Sequence, residues 1–147
     1  HTRYIGDWSS DVCSSDLNKN SKINRISDLN GKVTWIQCAH EVPCGMAADA
    51  ALIGEGVNTK PVSLEPKVTS ALAKLLADEV DAAIVYKTDV LSNSKKLKSI
   101  DFSDQKSAAT TYQIAVLSKN RWAATFADFL KSRATLRFLK SKGFELP

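Results

Sequence analysis

Three short segments of the chain each place polar or backbone donors at the end of a predicted strand. The first is Val42–Gly45, the second is Glu65–Val68, and the third runs from Asp81 to Asp89. The first two put a proline just before or at a helix start, where free backbone N–H groups and the positive end of the helix dipole favour anions. Two helix starts and one tyrosine hydroxyl, brought together, would form a set of neutral donors for a small anion.

The candidate donors are the first-turn N–H groups of Cys44 and Gly45, the N–H of Val68 and the hydroxyl of Tyr86. Pro43 supports the site by setting up the first helix, and Gly45 is expected to let a ligand approach the backbone closely. Taken singly, these residues have simpler interpretations as an ordinary helix start, a core valine and a tyrosine at the edge of the core. Their shared position at strand ends favours the anion site.

Cys38, His40 and Cys44 lie close together in the sequence and leave several interpretations open. They could begin a metal site, but zinc needs a fourth ligand or a water and no further candidate is near, so no metal is expected. His40 and Cys44 as base and nucleophile lack an orienting third group. A Cys38–Cys44 disulfide is expected if the protein is exported, and two reduced, buried thiols otherwise.

Composition excludes several classes of function. The chain has 147 residues, 44% hydrophobic and 24% charged, with a formal net charge of +4, which fits one ordinary globular domain. The lysines are scattered, and the short cluster at residues 95–98 is typical of a solvated turn, so no nucleic-acid partner is expected. Phosphate-loop, dinucleotide, zinc-protease and serine-hydrolase motifs are missing, which predicts neither an enzyme nor a resident cofactor.

The elements that must position these residues alternate between strand and helix. This alternation predicts an α/β fold with a parallel or mixed sheet and crossover helices. The predicted strands are Val33–Gln37, Thr59–Val62, Ala82–Tyr86, Leu97–Ile100 and Tyr112–Leu117. The predicted helices run from Cys44 to Gly54, Lys67 to Asp78, Trp122 to Leu130 and Ala134 to Phe144, after a helical turn at Ile26–Leu29.

Residues 1–17 show neither a helical nor a strand period. The stretch from Asp7 to Leu17 resembles the in-frame translation of a widely used short-read sequencing adapter. We therefore expect residues 1–17 to be a non-biological leader, with any signal peptide or lipoprotein anchor missing from this chain. A genomic clone that encodes these residues upstream of Asn18 would contradict this hypothesis.

Taken together, the segments resemble the periplasmic molybdate-binding proteins of ABC transporters, which have the type II solute-binding fold. The resemblance runs over nearly all of Asn18–Pro147 and is carried by short matches at specific spacings. The matching segments are Ile26–Leu29, Val42–Gly45, Lys67–Leu72, Asp81–Tyr86, Tyr112–Leu117 and Lys142–Phe144.

The resemblance implies that Cys44, Val68 and Tyr86 hold molybdate or tungstate without a counter-charge, and that an extracytoplasmic monomer delivers the ion to an ABC permease. It also implies an incomplete two-lobe fold: residues 18–117 form the α/β ligand-binding lobe, and residues 118–147 are helices that pack on a missing first lobe. That lobe would supply two serine hydroxyls, so the fragment is expected to bind weakly or not at all. The alternatives are the sensing domain of a cytoplasmic transcription regulator, a binding protein for another oxyanion, and an enzyme that uses Cys44.

Overall fold

A computed structural model describes residues 3–18, 21–104 and 109–146, of which residues 3–18 are described by their backbone. Its strands are β1 (Arg3–Asn18), β2 (Trp35–Cys38), β3 (Ser63–Glu65), β4 (Ala82–Tyr86), β5 (Leu97–Lys98), β6 (Ala109–Val116) and β7 (Phe144–Glu145). Its helices are a 3₁₀ helix (Ile26–Asn30), α1 (Pro43–Leu52), α2 (Val68–Leu76), α3 (Lys87–Ser92), α4 (Arg121–Leu130) and α5 (Arg133–Ser141).

The described strands form a mixed sheet in the order β3-β2-β4-β1-β5. Strand β2 pairs in parallel with both β3 and β4, so these three strands run in the same direction. Their connections run through α1 and α2, as a parallel sheet requires. The expected α/β fold is therefore confirmed, and its parallel part is the part that carries the candidate residues.

Both faces of this parallel section are covered by helices. One face carries Trp35 and Ile84 against α1 and the 3₁₀ helix, and the other carries Ile36 and Val85 against α2 and α3. Because successive residues of a strand point to opposite faces, a strand covered on both sides must be apolar throughout. This requirement explains the continuous apolar run of β4, in which residues 82–85 are all buried.

Strand β1 is a correction to the sequence reasoning, which assigned no strand to residues 1–17. Its C-terminal half pairs antiparallel with β4 and β5, and its N-terminal half pairs antiparallel with β6 and β7. These pairings are made by main-chain groups, which any sequence except proline can supply. The strand therefore has no bearing on the origin of residues 1–17, and the non-biological leader stays a prediction.

Other element predictions differ from the structure in the short elements. The strand expected at Thr59–Val62 is wrong: the strand is Ser63–Glu65, because pairing with Ile36–Cys38 of β2 defines it. Helix α3 and strand β7 were not predicted. These pieces are too short for a hydrophobic period to develop.

The two C-terminal helices form an arm with an exposed apolar face. Helix α4 packs against β6 and α5, while α5 packs against β7. The aromatic side chains of the arm are more than half exposed; they are Trp122, Phe126, Phe129 and Phe138. The division of the chain at residues 17 and 117 stays a prediction.

Candidate anion-binding site

The sequence-predicted donors lie at one edge of the sheet. Because β3, β2 and β4 are parallel neighbours, their carboxyl ends meet at this edge, about 4.8 Å apart from strand to strand. Helix α2 starts after β3, helix α1 starts after β2, and Tyr86 is the last residue of β4. The structure thus brings Val68, Cys44 and Tyr86 to three adjacent strand ends.

The loop from β2 to α1 is held closed by a disulfide. Cys38, the last residue of β2, is bonded to Cys44 in the first turn of α1, with their Cα atoms 5.7 Å apart. The backbone N–H of Ala39 also donates to the carbonyl of Glu65 at 2.8 Å, which ties the loop to the end of β3. Both restraints fix the position of the Cys44 N–H.

Gly45 is required here for a reason that the sequence did not indicate. A Cβ at this position would lie 1.9 Å from the carbonyl oxygen of Ala39 and 2.9 Å from that of Cys38. Glycine therefore permits a close approach between α1 and its own preceding loop, and the expectation that it also lets a ligand approach the backbone stays a prediction. Pro43 is the first residue of α1, where its missing N–H costs no helical hydrogen bond.

Helices α1 and α2 begin without a side-chain cap. Their N-cap residues, Val42 and Lys67, make no side-chain hydrogen bond to the first turn. By contrast, Asn120 and Ser132 cap α4 and α5 with their side chains. In the first turns, the N–H groups of Gly45 and Ser70 donate to the N-cap carbonyls of Val42 and Lys67. The N–H groups of Cys44 and Val68 come earlier in their helices and have no intrahelical acceptor, so each helix start keeps a donor for an external acceptor.

Tyr86 links β4 to α3 and is partly buried. Its ring packs against the apolar cluster that contains Ala48 of α1 and Ile84, on the face of the sheet that α1 covers. As the N-cap residue of α3 it has extended backbone angles, φ −76° and ψ 143°. The Tyr86 ring therefore packs on apolar side chains at the same edge of the sheet as the first turn of α1.

Asp89 lies three residues after Tyr86, in the first turn of α3, and the pKa of its carboxyl group is raised. Burial raises the pKa of its carboxyl group, and a hydrogen bond from the backbone N–H of Tyr86 partly opposes that effect. Its Oδ2 atom is buried and has no hydrogen-bond partner among the described residues. Sequence reasoning quoted Asp89 as part of the third segment but assigned it no role.

A polar cluster behind α1 was also missed. The buried Gln37 donates from Nε2 to Asp49 Oδ1 at 2.8 Å, and His40 Nδ1 lies 2.6 Å from Asp49 Oδ2. A polar residue inside the apolar run of β2 is the signal that could have revealed this contact. Through His40, the cluster ties the loop before α1 to the second turn of that helix.

The carboxylate of Glu65 does not face the candidate site as a free charge. Lys74 forms an ion pair with it and Ser63 donates a hydrogen bond to it, and these contacts, led by Lys74, lower the pKa of the Glu65 carboxyl group. Lys74 lies in the second turn of α2, away from the start of the helix. A neutralised carboxylate at this strand end does not repel an anion.

A cavity of about 550 Å³ lies at the opposite edge of the sheet and is chemically unsuited to an anion. Asp28, Asp78 and Asp81 are among the residues that line it, and Asp81 precedes β4. Lys22 also lines the cavity, but the three carboxylates outnumber it, so the lining is net negative and disfavours an anion. Neutral donors are available at the carboxyl edge instead.

The described residues contain no helix long and apolar enough to cross a membrane.

Cys38 and Cys44 are bonded to each other, which removes both thiols as zinc ligands and removes Cys44 as a nucleophile. The sequence left a metal site, a disulfide and two reduced thiols open for these cysteines, and the structure shows the disulfide.

Comparisons with known proteins give a family match and several relatives. The model of the family "bacterial extracellular solute-binding protein" matches residues 27–145. The molybdate-binding protein ModA of Mycobacterium bovis is 32% identical over 130 residues, which cover 86% of this chain and 50% of that protein. The ModA proteins of two strains of Mycobacterium tuberculosis match with the same figures. The chain thus spans about half the length of these curated relatives.

Two solved structures show the likeness of fold. The substrate-binding domain assigned to a molybdenum ABC transporter of Clostridium difficile superposes with a TM-score of 0.75 at 22% identity, covering 99% of this chain and 66% of that one. The periplasmic molybdate-binding protein of Azotobacter vinelandii gives a TM-score of 0.65 at 16% identity, covering 100% of this chain and 68% of that one. At these identities the superpositions establish the fold.

Proposed function

Because the chain belongs to the bacterial extracellular solute-binding proteins, we propose that it is part of a protein that captures molybdate or tungstate and delivers it to an ABC importer. The observation that carries the proposal is the meeting of two uncapped helix starts and Tyr86 at adjacent strand ends. The names of the curated relatives, all molybdate-binding proteins, support this choice of ligand.

The proposed site binds a dianion without a counter-charge. The N–H groups of Cys44 and Val68 and the hydroxyl of Tyr86 are neutral donors, and each helix adds about half a positive charge at its start. Because the three donors follow adjacent strand ends, hydrogen bonds of about 2.9 Å from them are proposed to converge on one tetrahedral ion. Because the dipoles are fixed by the fold, the ion replaces its water shell without reorganising the protein.

The chain is proposed to supply only part of the site. The relatives are about twice as long as the matched region, and the resemblance assigns two serine hydroxyls to a first lobe. We propose that this lobe also covers the exposed aromatic face of α4 and α5, whose side chains Phe126 and Phe129 stack with ring centroids 6.3 Å apart. An apolar face of this kind in a monomer indicates an interaction surface.

The disulfide supports a place outside the cytoplasm. Disulfides persist in oxidising compartments and are rare in the cytosol, so Cys38–Cys44 fits an exported protein better than the sensing domain of a cytoplasmic regulator. The proposal therefore includes a periplasmic or cell-surface location, a permease partner, a monomeric state, and no catalytic activity or resident cofactor. A helix-turn-helix domain encoded upstream would instead select the regulator.

Calorimetry on the full-length gene product tests the ligand. Molybdate and tungstate are expected to release heat and saturate at one ion per protein, while sulfate and phosphate should bind much more weakly because the donor set fits one ion size. Replacing Tyr86 by Phe should weaken molybdate binding about 10- to 150-fold, since a hydrogen bond to a charged acceptor is worth about 1.5–3 kcal/mol. No heat with molybdate and tungstate, or saturation by phosphate alone, would end the assignment.

A further inference from the structure

A buried ion pair joins the end of β3 to α2. Glu65 is the last residue of β3 and its side chain is only 7% exposed. Its Oε1 atom accepts hydrogen bonds from Lys74 Nζ and Ser63 Oγ, and these two donors lie 3.4 Å from each other. A buried ion pair often returns no more free energy than the burial of its charges costs. Stability alone is therefore a poor explanation for the two charges.

The main chain of Glu65 is tied to the loop that leads to the other helix start. Its carbonyl accepts the backbone N–H of Ala39 at 2.8 Å, and Ala39 is the first residue after β2. Glu65 is also the register partner of Cys38, which is bonded to Cys44 in α1. One residue thus contacts the β2–α1 loop through its backbone and α2 through its side chain.

The ion pair encloses the start of α2. Val68 lies between Glu65 and Lys74 in the chain, so the pair holds both the connection from β3 and the first turn of the helix. Apolar packing of Ala71 and Leu75 also holds α2 against the sheet, but apolar packing has no preferred direction. A hydrogen bond between charged groups is short and directional. The pair is therefore the contact that can fix how α2 sits at the end of β3.

On these grounds we infer that Glu65 and Lys74 are positioning residues for the Val68 N–H: their ion pair sets the start of α2 relative to the loop before α1. This inference rests on the proposed anion site. Because the Glu65 carbonyl anchors the end of β3 to that loop, the position of α2 against β3 also sets the spacing of the two helix starts. Binding groups must be held within about 0.5 Å of their working geometry, and residues behind the ligand contacts provide that restraint.

An apolar exchange of the pair separates positioning from stability in the full-length protein, with molybdate titrated by calorimetry at pH 7. The exchange variant carries Glu65→Met and Lys74→Met, which keep the volume and the net charge. Buried ion pairs often tolerate such a replacement, so the melting temperature should stay within about 4 °C of wild type. Molybdate should nevertheless bind about tenfold more weakly. Lys74→Arg keeps the charged contact and should bind within about threefold of wild type.

The Val68→Pro background identifies the donor that the pair positions. Proline has no N–H, so the exchange should cost less than about twofold in this background, since no N–H is left to misplace. A loss caused by the electric field of the two charges would persist there. The control replaces Asp128 and Lys131 at the end of α4, whose charged atoms lie 3.3 Å apart, by Gln. It also removes an ion pair at constant net charge, and it should leave the affinity unchanged.

Equal losses from the exchange in the two backgrounds would overturn the inference, as would wild-type affinity in the folded exchange variant or an equal loss in the control. No binding of molybdate by the wild-type protein would refute the proposed site and the inference together. Wild-type binding with additive losses would refute the inference alone.

A second variant and a second readout cover an exchange variant that folds poorly. Glu65→Gln with Lys74→Met also removes both charges, and its amide oxygen still accepts the Ser63 hydroxyl, so the same losses are expected. The backbone ¹⁵N–¹H resonance of Val68, assigned by its absence in Val68→Pro, should shift in either double variant and stay in place in Lys74→Arg. An unshifted resonance in a folded double variant would also overturn the inference.

Discussion

The proposal that a backbone N–H binds the anion can be tested with a single substitution at the start of α2. Val68 is the first residue of this helix, and its N–H has no partner within the helix. Proline is accepted at the first helical position, and Lys67 before it already has the extended angles that proline imposes, φ −160° and ψ 155°. Val68→Pro should therefore remove one donor and keep the helix.

The expected loss follows from the strength of one hydrogen bond to a charged acceptor. That bond is worth about 1.5–3 kcal/mol, so molybdate should bind about 10- to 150-fold more weakly to Val68→Pro than to the wild-type full-length protein. Val68→Ala keeps the N–H and removes only part of a half-buried side chain that packs beside Ala71 and Leu75. It should cost about 1 kcal/mol of folding free energy and leave the affinity within about twofold.

A matched control places proline at the first position of another helix. Arg133 begins α5, and Ser132 before it has extended angles, φ −63° and ψ 149°. The side chain of Ser132 caps Thr135, so Arg133→Pro leaves that bond intact. Arg133→Pro should bind molybdate normally. The reasoning is refuted if Val68→Pro binds within twofold of wild type, or if Val68→Ala loses as much as Val68→Pro.

Three further predictions concern the framework of the site. Replacing Cys38 and Cys44 together by Ala should lower the free energy of unfolding by about 2 kcal/mol, as expected for a short disulfide loop, and dithiothreitol should then have no further effect on the melting temperature. Gly45→Ala should destabilise the protein by about 1–3 kcal/mol in urea unfolding, because its Cβ would meet a main-chain carbonyl; an unchanged midpoint would contradict this. Lys74→Met should destabilise the protein at pH 7. Because the pair lowers the pKa of Glu65 below its ordinary value of 4.5, that loss should be full above pH 4.5 and shrink as the pH falls through the lowered pKa, whereas a loss that does not vary with pH would exclude the ion pair as its cause.

Local patterns were sufficient to predict the elements that carry the proposed site. Pro43 marks the start of α1, the amphipathic run after Pro66 marks α2, and the apolar residues 82–86 match β4 at both ends. These signals work because proline, glycine and hydrophobic period act over a few residues. Strand β3 was placed four residues too early because it has three residues and is defined by its pairing with β2.

The polar groups around the site were harder to predict, because their contacts and burial depend on how separate elements pack together. Gln37 lies on β2 and its partner Asp49 lies on α1, so their contact depends on how the helix packs on the sheet. Asp89 is only three residues from Tyr86, but its burial depends on the packing of α3 against the core. No local pattern encodes burial of a single carboxylate, so its cost becomes visible only in the folded structure.

The sequence by itself determined an α/β chain in which three strand ends carry two helix starts and a tyrosine. It left open whether Cys38 and Cys44 form a metal site, a disulfide or two buried thiols, and it did not indicate that the chain's own backbone approaches Gly45 closely. The tertiary structure decided these points, since it sets the order β3-β2-β4, pairs the two sulfurs and brings the first turn of α1 onto the carbonyl of Ala39. The physical reason is that strand order and close backbone approach depend on hydrogen bonds and packing between residues far apart in the chain, which local propensities do not specify.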